Sequence, residues 1–281
     1  MKPLFVAVLL GLCGIATTEQ ANAQTLDRLR ETGKIVLAHR VDARPMSYVN
    51  DEGNPAGYTP AVCVAIAKAI SAIYDMELTA EFIAVDTSTR FDTIINGEAD
   101  LLCGAATITL SRRELVDFSI PVFVDGASVA VRKGGDPDPA NFDGKTVGIR
   151  SNTTTEDALQ TTMNRLGAEP RIERFASHKD GIAALLNSEI DAYLADQSIL
   201  VFEILASGEK ERLSVASRPL TLEKQGLALA RGDAEFRLAV DRAISRLYIS
   251  GGMREIFDRA FPGTTPGRGM EALYGLAAEP E

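Results

Sequence analysis

Arg112 and Arg113 stand where a helix usually prefers acids. Ser111, with Glu114 three residues on, matches the S/T-x-x-E capping box and puts both arginines in a first helical turn. The helix dipole favours anions at that end. Cations fit there if an anion is shared with the free backbone N–H groups; otherwise both are simply solvated. Just ahead, Leu101, Leu102 and Cys103 read as a buried strand, and Gly104, Ala105 and Ala106 leave room for a ligand to approach the backbone. A second segment, Arg150-Ser151-Asn152-Thr153-Thr154-Thr155, joins a strand to a helix, with Thr153 and Glu156 spaced as another capping box. Its hydroxyls and N–H groups can hold a carboxylate or phosphate, or only cap the helix. It is not a P-loop, because the glycines and lysine are missing. Asp196 ends a strand, where it can cap the next helix or hold a ligand ammonium through charge-assisted bonds. Arg40, Arg90 and His178 each follow a strand or open a helix. Arginine suits two-pronged recognition of a carboxylate. A histidine can donate to an anion, with a charge sensitive to pH near neutrality. No G-x-S-x-G or H-E-x-x-H motif is present, so no hydrolytic or metalloprotease constellation is legible.

The elements that must position these residues alternate. Strands are predicted at 34–39, 77–85 and 99–103, with helices at 58–74 and 91–96 between them. On the long helix Val62, Ala65, Ile66, Ala69, Ile70 and Ile73 share one face. Such a βαβαβ series predicts a mostly parallel sheet. After an apolar strand at 127–131, Gly134-Gly135-Asp136-Pro137-Asp138-Pro139 marks a boundary by composition. A second series then begins, with strands at 146–149, 171–175 and 190–194 and helices at 156–166, 180–187 and 198–206. A late strand at 226–230, a long helix at 235–250 and a last helix at 253–261 follow. The tail, 263–281, is expected to be loosely held. Two α/β lobes imply a cleft between them, a favoured place for a small-molecule site.

The chain has 281 residues, 46% of them hydrophobic, and a net charge of −10. An acidic chain without a basic arm argues against nucleic-acid binding. Residues 1–23 read as a signal peptide: Lys2, an apolar run over 4–15, and an A-x-A site at Ala21-Asn22-Ala23. Cleavage after Ala23 would remove Lys2 and Glu19 and leave the charge unchanged. The apolar run is too short to span a bilayer. An exported protein meets an oxidising compartment, which permits a disulfide between the two remaining cysteines, Cys63 and Cys103; the alternative is two buried thiols. No histidine or cysteine cluster has metal-ligand spacing, and no metal or cofactor is expected.

Taken together, AATITLSRRELVDFSIPVF, IVLAHR, NGEADLLCG, ASVAVRKGGD, VGIRSNTTTEDAL, IDAYLAD and GGMREIFDRAFP resemble, in order over about 25–262, the bacterial periplasmic solute-binding proteins of polar amino-acid ABC importers. Within that family the chain is most similar to the glutamate/aspartate-binding proteins. The resemblance implies an α/β, two-lobed periplasmic binding protein fold of type II. Each lobe would be a mostly parallel sheet flanked by helices, joined by two hinge strands near 127–132 and 221–230. The first lobe would be discontinuous, 24–131 and 224–262, around a second lobe at 132–223. It also implies a non-enzymatic, monomeric periplasmic receptor that delivers glutamate, aspartate or another polar amino acid to a membrane permease. Thr107 and Arg112 would hold the ligand α-carboxylate and Asp196 its α-ammonium, with the Ala105 carbonyl accepting from the ammonium. Asn152, Thr153 and Thr154 would close on the carboxylate from the second lobe. Arg40, Thr87, Arg90 and His178 would line the side-chain pocket. Ala105 stands where the acidic amino-acid receptors carry serine, and Asp86 is an acid expected to oppose the anionic pocket. The alternatives on the same fold are a cyclohexadienyl-type dehydratase and a receptor for a dicarboxylate or non-proteinogenic amino acid.

Overall fold

The computed structural model describes residues 25–280. The leader expected at 1–23 lies outside them. Two five-stranded sheets carry the molecule. In the first, the strands run in the order Thr79–Val85, Lys34–Arg40, Leu101–Cys103, Ala228–Leu229, Asp117–Phe118. The second runs Arg171–Phe175, Thr146–Arg150, Ala192–Asp196, Ala127–Arg132, Leu213–Val215. The first three strands of each sheet are parallel and are joined through helices, as the alternating pattern requires. The next strand in each order runs antiparallel to its neighbours. Among the described residues, no helix is long and apolar enough to cross a membrane.

Two expectations about the lobe boundary are corrected. Ala127–Arg132 is not a hinge strand, nor does it belong to the first lobe. It pairs antiparallel with Ala192–Asp196 along its length, inside the second sheet. Every residue but its last is buried, which a strand between lobes could not achieve. The connection is made instead by Phe123–Asp125 against Glu223–Gln225. Gly126 follows directly, where a Cβ would stand 1.9 Å from the Thr221 carbonyl oxygen, so only glycine lets the two crossing segments approach. Within the second of the expected hinges, Ala228–Leu229 already belongs to the first sheet.

The tail also departs from expectation. Arg268–Leu276 forms a helix, and its Met270 and Leu273, three residues apart, bury into the first lobe's core. That core gathers Tyr58 from the long helix Tyr58–Tyr74, Phe123 from the connection, and Phe257 and Phe261 from the closing helix. Phe123 stacks on Phe261 with ring centroids 5.4 Å apart, and the Tyr58 hydroxyl donates to the Val122 carbonyl at 2.8 Å. The connection is thereby anchored in the first lobe. Cys63 and Cys103 are joined in a disulfide, their Cα atoms 6.2 Å apart, tying the long helix to the strand that leads into the Gly104–Ala106 turn.

Candidate functional site

The C-terminal ends of both sheets converge on one small, partly open space of about 20 Å³. That is room for about one water molecule, and far less than an amino acid. Arg40, Arg90, Ala105, Thr107, Arg112, Thr153, Thr154, His178 and Asp196 line it, each of them expected from the sequence. Thr155 and Ile199 line it too and were not expected. Thr87 and Asn152 do not face it. Thr87 is buried, and its carbonyl accepts from the Arg90 guanidinium. Asn152 is exposed, with a left-handed φ of 59° that asparagine tolerates. Its carbonyl accepts from Arg90 Nη2 at 2.8 Å. Each of these two residues therefore meets Arg90 through its backbone carbonyl.

Several side chains have different partners from those expected. The cap of the short helix Leu110–Arg113 is Thr109, whose Oγ1 accepts from Arg112 N–H at 3.2 Å. Ser111 lies inside the helix, so the Ser111–Glu114 capping box does not form. Arg112 Nη1 donates to the Thr107 carbonyl at 2.9 Å, and its guanidinium lies 5.2 Å from the centre of the Phe91 ring. Arg113 is exposed. Thr153 does cap Thr154–Leu166, accepting from Glu156 N–H, and its hydroxyl donates to the Arg150 carbonyl. Asp196 precedes the helix Gln197–Ser207 without capping it; its Oδ2 accepts from Gln225 Nε2 at 2.8 Å. Asp86 is turned away, accepting from Ser88 and Thr89 in its own turn, and those bonds, Ser88 first, pull its carboxyl down to about 2.

The acid that opposes the cations is Asp42, which carried no signal beyond lying two residues past Arg40. Arg40 is buried, and its Nε and Nη2 both donate to Asp42 Oδ1, at 3.0 and 2.7 Å. Arg150 Nε reaches Asp42 Oδ2 from the second lobe at 3.0 Å. Burial alone would raise the Asp42 carboxyl, but the Arg40 and Arg150 guanidinium groups outweigh it and hold it below its usual range. Among the described residues, Arg90 and Arg112 have no such partner: their guanidinium groups donate to carbonyls. Burial lowers both, Arg90 to about 9, so both stay charged at neutral pH.

His178 opens its helix, with Ser177 as the cap. Its Nδ1 lies 3.0 Å from the Tyr193 hydroxyl, and Nε2 is buried without a partner. Gly181 makes that arrangement possible, since a Cβ there would come 2.1 Å from the Tyr193 ring. Burial, reinforced by Arg40, pushes the His178 pKa down to about 3. The pH sensitivity near neutrality expected from residue type is therefore absent.

At the other end Asp196 meets Asp125 and Glu223. Burial, then these two neighbours, pushes its carboxyl up to about 8. Asp125 is raised as well, chiefly by burial, although it accepts from Ser198 Oγ at 2.5 Å. A carboxyl raised in this way binds its proton more tightly in the folded chain than in the unfolded one, so stability falls as pH climbs toward the folded value. His178 acts in the opposite sense, but only below about 6.5. The protein should therefore melt at a lower temperature at pH 8 than at pH 6.5, losing up to ~1.4 kcal/mol per pH unit at Asp196. Asp196→Asn should flatten that dependence. Calorimetric melting across this range checks it, and an equal slope in both proteins would refute the assignment.

Residues 35–263 match the family model of the bacterial extracellular solute-binding proteins, family 3. The chain belongs to this family. It is 27% identical to the glutamate/aspartate import solute-binding protein of Escherichia coli (strain K12), over 98% of this chain and 92% of that protein. To the L-glutamate/L-aspartate-binding protein of Pseudomonas aeruginosa it is 28% identical, with the same coverage of each chain. Among solved structures, an ABC uptake transporter substrate-binding protein from Streptococcus pneumoniae with bound histidine superposes with a TM-score of 0.76. It is 20% identical and covers 84% of this chain and 96% of that one. The two-lobed fold of this solute-binding family accounts for a site shared between sheets. Among the described residues, the lobes are brought together over it by Arg150 to Asp42, Arg90 to the Asn152 carbonyl, and Thr107 to Thr154 at 3.2 Å, while Thr154 also reaches Glu223 on the connection.

Proposed function

We propose that this solute-binding protein is the periplasmic receptor of an amino-acid ABC importer, and that its ligand is an acidic α-amino acid, glutamate or aspartate. The charge arrangement carries the reading. Arg40 and Arg150 share Asp42, which leaves Arg90 and Arg112, among the described residues, as the two lining guanidinium groups without a carboxylate partner. Among the described residues, Asp196 is the single acid lining the cavity. Two unpaired cations and one acid complement two carboxylates and one ammonium, whose approach draws Asp196 back to its ionised form. Arg112 takes the α-carboxylate, together with the N–H groups at the start of Thr154–Leu166. Asp196 takes the ammonium and the Ala105 carbonyl assists; Arg90 and the His178 Nε2–H take the side-chain carboxylate. The names of the relatives support the same class of ligand.

Because the space admits about one water, the ligand enters only after the lobes part, and closure is a hinge motion about Phe123–Asp125 and Glu223–Gln225. The leader at 1–23 directs export and is cleaved after Ala23, and the closed monomer docks on a membrane permease. A thermal-shift panel of amino acids and dicarboxylates tests the ligand. Glutamate or aspartate at 100 times its dissociation constant should stabilise the protein by about 2.7 kcal/mol. Stabilisation by basic amino acids, with none by acidic ones, would refute the reading.

A further inference from the structure

Two threonine hydroxyls that face the cavity have their protons committed elsewhere. Thr107 Oγ1 donates to Glu223 Oε2 at 2.6 Å, and Thr154 Oγ1 donates to the same oxygen at 2.9 Å. Thr221 Oγ1 donates to Glu223 Oε1 at 2.5 Å. A hydroxyl has one proton and two lone pairs, so a threonine that donates to Glu223 has only lone pairs left to offer. The Thr107 and Thr154 oxygens also approach each other to 3.2 Å with no proton left to place between them. Acceptors held this close call for a donor. Other acceptors cluster alongside. Asp196 lines the same space, and Gln225, which is fully buried and bonds to Asp196, has an Oε1 without a partner. Arg112, by contrast, meets Thr107 at its carbonyl rather than its hydroxyl.

We propose that Glu223 is a positioning residue that draws the hydroxyl protons of Thr107 and Thr154 onto itself, so that both oxygens accept from the ligand's ammonium and neither can donate to its carboxylate. This deepens the reading of the site as one for α-amino acids and rests on it. It reverses the expectation, drawn from family resemblance, that these hydroxyls hold the α-carboxylate. That group is left to Arg112 and backbone N–H donors. Thr107 belongs to the first lobe, Thr154 to the second and Glu223 to the connection, so the three meet only when the lobes shut. Selection for an amine-bearing ligand is thus made at closure. A dicarboxylate of the same length but without the amine meets two acceptors it cannot satisfy.

Isothermal titration calorimetry with L-glutamate and with glutarate, its des-amino counterpart, tests this in the wild-type chain, Glu223→Ala and Glu223→Gln. The wild-type protein should prefer glutamate by about 100-fold or more, the scale of losing a charged hydrogen-bonded group. Glu223→Ala should cut that preference by about tenfold or more, chiefly through weaker glutamate binding, while glutarate holds or gains as the freed hydroxyls donate to it. Glu223→Gln should keep most of the preference, because the amide oxygen still accepts both hydroxyl protons and its NH₂ can face Thr221. An equal fall for both ligands in Glu223→Ala, an unchanged preference, or a Gln variant that behaves like Ala would overturn the assignment. The same comparison with L-glutamine and its des-amino analogue separates the two readings. Binding of glutamine in place of glutamate sinks the acidic ligand but leaves the Glu223 test in force. Failure of both amino acids to bind sinks both.

Discussion

Arg112→Ala should weaken binding of an acidic amino acid by about 2–4 kcal/mol, or roughly 30- to 1,000-fold, because it leaves a desolvated carboxylate without its cation. The group is held for this task. Its guanidinium is fixed by the Thr107 carbonyl at 2.9 Å and lies against the Phe91 ring, and among the described residues it makes no ion pair that a ligand would have to break. Without ligand the variant should melt no lower than wild type, since burial already disfavours this charge. Arg112→Lys should recover little, because an ammonium cannot reproduce the planar two-pronged geometry. Calorimetric titration with glutamate, beside a melt of the free protein, checks both statements. An affinity within about threefold of wild type would remove Arg112 from the site.

Replacing Cys63 and Cys103 by alanine should cost about 4 kcal/mol of stability, the loop-closure entropy expected for their separation of 40 residues. For a chain of this size that lowers the melting temperature by about 8–16 °C. Both sulfurs are buried, so a mild reductant should act only once the chain unfolds. The effect should reach the ligand as well. Cys103 ends the strand that leads into Ala105 and Thr107, so a loosened strand end misplaces the backbone that both Arg112 and the ammonium use. Differential scanning calorimetry of the double variant tests the first part, and its glutamate affinity the second. A shift below about 3 °C would show that packing alone holds the turn.

The opening arginine pair illustrates how far residue spacing carries. Ser111 and Glu114 have the spacing of a capping box, yet Thr109 caps the helix, because its extended backbone aims the hydroxyl at the Arg112 N–H. At Thr153 and Glu156 half of the pattern forms: Thr153 caps the helix, while Glu156 Oε2 accepts from Asn152 N–H rather than from Thr153. Local patterns of this kind name a helix start to within a residue or two, and tertiary geometry selects the cap. The connection was misplaced by the same logic. Ala127–Arg132 is an apolar strand at a compositional boundary. Only its pairing with Ala192–Asp196, 60 to 70 residues later, shows that it is a core strand of the second sheet.

What the sequence by itself determined is the set of polar groups available at strand ends and helix starts, since residue type and period already specify where a sheet finishes and a helix begins. Nine of the residues that family resemblance implies for the site line one cavity. Only the tertiary structure decided which charges remain free there. Asp42 neutralises Arg40, Glu223 takes the protons of two threonines, and burial holds His178 neutral. Arg40 and Asp42 are neighbours in the chain, but the arrival of Arg150 on Asp42 and of Thr107 and Thr154 on Glu223 joins side chains more than 60 residues apart, at the closed face of two lobes where low polarity makes each pairing decisive. Charge pairing and proton direction are properties of that meeting, and no single stretch of chain carries them.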